Sequence, residues 1–168
     1  CDKAPCIAVC PARANYKRAA VLAPDKIEVW SKYMRVLIDS YEWDEAQAAM
    51  ERFRRLDVPQ SAIDKAAGDM YARMGRLVEA QTYYKKAMAR DVIDQEVYIA
   101  YSRVLMELKN FKDAPFFFAL ALRYDPLNID AIVGTAKCVA ETESIDRGIS
   151  FLEDELQKST SARAELLA

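Results

Sequence analysis

The chain has 168 residues, 52% hydrophobic and 30% charged, with 24 Lys and Arg against 26 Asp and Glu for a net charge of −2. That balance argues against nucleic acid as a partner, because gripping a phosphate backbone takes a basic surface, and the absence of histidine removes the commonest general base and metal ligand together. Four glycines and six prolines are too few for a turn-rich β architecture, and no stretch approaches the roughly 20 apolar residues of a membrane span.

Residues 1–10 hold Cys1, Cys6 and Cys10, while Cys138 stands alone. The C-x4-C and C-x3-C spacings do not match the paired C-x-x-C ligands of a structural zinc site. These cysteines read as small apolar residues or a local disulfide, with no metal and no cofactor expected. Pro5, and Lys3 in a column that is apolar elsewhere, predict an irregular segment over residues 1–10. A chain that opens on Cys1 is either a piece of a longer protein or a mature bacterial lipoprotein carrying its lipid on that residue. The first reading leaves a cytoplasmic location open; the second implies the periplasm.

From residue 11 onward the sequence repeats. Ala12, Ala46, Ala80, Ala114 and Gly148 are small residues at successive steps of 34. Four residues further on stand Tyr16, Met50, Tyr84, Phe118 and Leu152, and three beyond those Ala19, Phe53, Ala87, Ala121 and Glu155. Upstream, Trp30, Asp64, Tyr98 and Ile132 share one phase, and Leu37, Tyr71, Leu105 and Val139 another. Apolar spacings of three, four and seven are helical. Each period therefore holds two helices, broken at Gly75 or at Lys109–Asn110 and closed near Pro24, Pro59 or Pro126. A small residue on the second helix lets the first approach closely, and the bulky column fills the remaining space. The run "DAPFFFALALRYDP", residues 113–126, is thus a second helix. Pro115 fits only if that helix starts late, near Lys112 or Asp113, where the missing N–H has no helical partner to lose.

The repeat resembles the tetratricopeptide family. Its best unit, residues 61–92, carries Gly68, Tyr71, Gly75, Ala80, Tyr84 and Ala87 where that pattern wants them, and Trp30 and Tyr98 match the opening aromatic. Asp64, Phe53 and Glu155 depart from it. The resemblance implies an all-α, right-handed superhelical solenoid of antiparallel helix pairs with a 34-residue period. The organisation expected is an array over residues 11–160, with a partial unit at 11–23 and units near 27–58, 61–92, 95–126 and 129–160. Residues 161–168 would start a further helix, ending on Leu166 and Leu167 without a polar cap. That end suggests a longer array or an oligomer.

The resemblance also implies a concave face, lined by first helices, that holds a protein or peptide. Arg35, Asp69, Arg103 and Lys137 form one row there, and Asp39, Arg73, Glu107 and Glu141 the row one helical turn later. Pairs such as Arg35–Asp39 and Arg103–Glu107 are also spaced for ordinary i,i+4 ion pairs. The carboxylate clamp of tetratricopeptide co-chaperones is missing: its positions hold Ser31, Arg35, Ala66, Glu96 and Ala100, or one unit on Lys65, Asp69, Ala100, Asp130 and Gly134. Phe116 stands where the family is usually polar and is a candidate contact on the outer face. With no phosphate loop, metal spacing or nucleophile–base pair, the sequence reads as a non-enzymatic adaptor or scaffold. A lipoprotein assisting assembly of a secretion or pilus complex, and the regulatory arm of a larger enzyme, are the alternatives.

Overall fold

The computed structural model describes residues 11–23, 26–90 and 94–165. The expectations placed on Cys1, Cys6, Cys10, Pro24, Leu166 and Leu167 lie outside the described residues. Those residues form nine helices and no strand: α1 (Pro11–Leu22), α2 (Ile27–Asp39), α3 (Trp43–Phe53), α4 (Gln60–Arg73), α5 (Leu77–Met88), α6 (Gln95–Glu107), α7 (Ala114–Leu122), α8 (Ile129–Thr142) and α9 (Ile145–Glu165). They fall into two compact units, Cys1–Val92 and Ile93–Ala168.

In the first unit α2 packs on α1, α3 and α4, and α4 also packs on α3 and α5. In the second, α8 packs on α6, α7 and α9, and α6 also packs on α7. The small column explains the close approach: Ala46, Ala80, Ala114 and Gly148 are all buried. Where two helices nearly touch, the facing residue loses its Cβ as well. A Cβ added to Gly68 would lie 2.6 Å from Cε1 of Tyr84, and one added to Gly134 would overlap the ring of Phe118. The bulky column is closed by this packing at Met50, Tyr84 and Phe118, is half-buried at Tyr16 and is open at Leu152. Phe53, too large for its column, is absorbed whole into the core of the first unit beside Trp30 and Leu37.

The break between paired helices is one hydrogen-bonded turn built three times. Tyr41, Gly75 and Lys109, again 34 residues apart, adopt left-handed backbone with φ of 60°, 72° and 60°. The residue after each donates its N–H back across the helix end: Glu42 to Leu37 O, Arg76 to Tyr71 O and Asn110 to Leu105 O, at 3.0, 2.9 and 2.8 Å. This is the six-to-one closure of a Schellman end. At the two non-glycine apexes an aromatic two residues on takes up the side chain. Tyr41 meets Trp43 edge to face at 5.6 Å, and the Lys109 ammonium lies 5.6 Å from the Phe111 ring centre. The fourth break, at Glu143, has φ −117° and no such turn.

α7 starts late, as its proline requires. Asn110 and Asp113 bond each other through the turn before it, Nδ2 to Oδ2 at 2.7 Å and Asp113 N–H to Oδ1 at 3.3 Å. Pro115 then falls in the first turn of the helix. One boundary differs from the sequence reading: α9 runs unbroken through Glu165, so residues 161–165 continue it instead of opening a new helix. Pro59 and Pro126 follow the ends of α3 and α7 within six residues, whereas residues 157–165, "QKSTSARAE", contain neither Pro nor Gly to stop a helix.

Candidate protein-binding face

The first helices of successive pairs lie side by side within each unit, α2 against α4 and α6 against α8. Ion pairs between exposed side chains cross both seams. Arg73 Nη2 meets Asp39 Oδ1 at 3.0 Å, and Arg103 Nη2 meets Asp130 Oδ2 at 2.7 Å. The sequence spacing suggested pairs within one helix, Arg35–Asp39 and Arg103–Glu107. The structure corrects this, because the neighbouring first helix brings a counter-charge nearer than the next turn does. Only Asp39 and Arg73 of the eight row residues bond each other directly. Asp130, which completes the second seam, carried no pairing signal in the sequence.

Arg35 and Asp39 are exposed on α2, Arg103 and Glu107 on α6, and Lys137 and Glu141 on α8. Arg73 is exposed at the end of α4, whereas Asp69 is half-buried and accepts from the Tyr84 hydroxyl at 2.7 Å. That bond ties the first-helix row to the bulky column of the second helix, giving a core tyrosine a polar outlet. Phe116 is 63% exposed and stands edge-on to Phe117 at 5.1 Å. Cys1 lies outside the described residues.

Two further clusters serve packing. Asp64, in the column where other pairs place an aromatic or isoleucine, is buried and accepts from Arg90 Nε at 2.9 Å and Gln60 Nε2 at 3.3 Å. Tyr71 and Tyr83 stack at 5.2 Å, with Arg76 4.8 Å from the centre of the first ring and Lys86 4.7 Å from that of the second. Arg76 also bonds Glu79, which raises the pKa of the guanidinium and lowers that of the carboxylate. Burial, and secondarily the Glu141 charge, push the Cys138 thiol above its ordinary value. A protonated, buried thiol is a poor nucleophile. Among the described residues no cluster of three Cys, Asp or Glu could hold a metal ion, and no helix is long and apolar enough to cross a membrane.

Antiparallel helix pairs recurring every 34 residues, with small residues at each crossing, define an all-α helical-repeat protein. Solved structures specify which. A crystal structure of MamA superposes with a TM-score of 0.68 at 15% identity, over 90% of this chain and 89% of that one. YrrB, described as a TPR protein with an unusual peptide-binding site, gives 0.64 at 18% identity, over 84% and 73%. A chain of the APC/C hetero-tetramer Cut9–Hcn1 gives 0.71 at 17% identity, over 88% of this chain and 30% of that one. No family model matches the sequence, and no curated protein does. The chain has the tetratricopeptide-repeat fold.

Proposed function

We propose that the chain is a non-enzymatic adaptor or scaffold that binds a protein or peptide on the exposed faces of its first helices. The fold supports an interaction role in general, and a structure sharing it is described as having a peptide-binding site. The observation that carries the finer reading is the pair of seams. Asp39–Arg73 and Arg103–Asp130 cross between consecutive first helices and leave Arg35, Lys137, Glu107 and Glu141 displayed beside them. Exposed pairs of this kind contribute only about 0–1 kcal/mol to stability, so a partner can exchange them without unfolding the scaffold.

Within the second unit, Arg103 and Lys137 bias the face toward an acidic segment. In a fluorescence titration against acidic peptides, the double reversal Arg103→Glu, Lys137→Glu should weaken binding by roughly tenfold or more, as lost charge pairs do. The melting temperature should change little. Unchanged affinity would rule this face out.

A further inference from the structure

The apolar face of α9 is uncovered, including a column that is closed in the earlier pairs. Met50, Tyr84 and Phe118 are at most 3% exposed, whereas Leu152 in the same column is 37% exposed. With Ile145 at 71%, Ile149 at 49% and Leu156 at 66%, it forms a stripe at steps of four, three and four residues, one side of a helix. Ile145 shares its column with Trp43, Leu77 and Phe111, all apolar and all half-buried. At Ile145 and Leu152 the stripe is thus the seam surface of the repeat, left open, and Ile149 and Leu156 extend it with apolar side chains where the first full pair has exposed Gln47 and Arg54; such a patch marks an interaction site. Its borders are acidic: Asp146 follows Ile145, Glu153 follows Leu152, and Glu155 precedes Leu156. Border positions select partners by charge in a helix-on-helix seam. A second α9 would set acid against acid, so the stripe does not suit its own likeness.

The N-terminal unit offers the complement. Residues 1–92 carry 16 Lys and Arg against 13 Asp and Glu, and residues 93–168 carry 8 against 13. α1 contains no acidic residue. It exposes Arg18, and its last turn exposes Val21 and Leu22, at 66% and 74%. Beside it opens an apolar groove of about 160 Å³ lined by Ala20, Val21, Trp30 and Ala49, with Lys17 and Arg52 also at its wall. Lys17 is held by Glu45 at 2.6 Å, so Arg18 and Arg52 are the cations best placed to meet a partner.

We propose that α9 of one molecule docks on α1 of a second copy. Its isoleucines and leucines cover Val21, Leu22 and the groove, and Asp146 and Glu153 on its border face Arg18 and Arg52. The two faces differ, so the contact is heterologous and each junction leaves one face of each kind open. Association then continues head to tail into chains or rings.

Sedimentation velocity on the full 168-residue chain, over rising concentration at low and high salt, tests this with two variants. Ile145→Glu, Leu156→Glu blocks the α9 face, and Arg18→Glu, Val21→Glu blocks the α1 face. All four side chains are exposed, so circular dichroism should show the helices and their melting intact. The wild-type mass should climb past the dimer with concentration, and salt should suppress the climb by screening the charges. Each variant alone should stay monomeric, while an equal mixture should form a dimer and nothing larger, because one intact junction remains. A wild type that stays monomeric overturns the proposal, and means that another protein or another segment covers α9. Association lost in the α9 variant but kept in the α1 variant overturns it in favour of paired α9 helices. A mixture that stays monomeric overturns it as well.

Discussion

Ala80 sits at a crossing with no exposed surface, and its neighbours in the column, Ala46 and Ala114, are buried in the same way. Ala80→Leu must find room for three more carbons where α4 and α5 nearly touch, and should destabilise by about 1–3 kcal/mol through overpacking. Chemical denaturation reads this directly, and a neutral effect would move the crossing elsewhere. Such positions were legible in the sequence because the constraint is steric and recurs at a fixed step. The Asp64–Arg90 pair was not. Asp64 looked like a defect in an aromatic column, and nothing marks a cation 26 residues away as its partner. Side-chain pairs across helices depend on which rotamers face each other, and a period does not carry that information. The same holds for Asp130 opposite Arg103.

Among the elements, the turns show a sequence signal that is real but incomplete. Gly75 advertises a left-handed residue, whereas Tyr41 and Lys109 adopt the same backbone with ordinary side chains. Their φ could not be read from residue type, only from the 34-residue step that aligns them with Gly75. Nothing lies within 4 Å of a Cβ built on Gly75, so the effect of Gly75→Ala is conformational and not steric. It should cost about 1 kcal/mol in thermal or urea unfolding. Gly75→Asn should cost less, since asparagine tolerates this region; equal costs would mean the turn had reshaped itself. α7 shows the opposite case, in which Pro115 alone was enough to place the helix start. α9 shows where punctuation fails: the repeat's phase continued past residue 160, but no residue there halts a helix.

For the whole chain, the period revealed the fold, and the division into two compact units was not visible in it. The columns run through Val92 and Ile93 without a change of phase, so periodicity alone describes one array. Repeat proteins draw their stability from each pair and its immediate neighbours, and local opening follows such cooperative blocks. Hydrogen exchange on the Ala80→Leu variant should therefore show protection falling in α2 to α5 and holding in α6 to α8. A uniform loss would mean that the chain unfolds as one block. The candidate binding rows were legible as positions, because first-helix phase follows from the repeat. Their pairing was not, and the partner's identity is not written in either.

Chains built from near-identical pairs face a hazard that single-core proteins do not: a second helix can dock one period out of place and bury almost the same apolar surface. Asp64 works against that error. One period away from Arg90 stand Leu56 and Tyr124, the first with no donor and the second with no charge. A helix slipped by 34 residues would leave the carboxylate without its cation, a penalty on the order of 1–3 kcal/mol that falls on the wrong arrangement only. An aromatic at that position would pack well in either register. The residue that departs most from the repeat is thus the one that tells the folding chain which pair it is in.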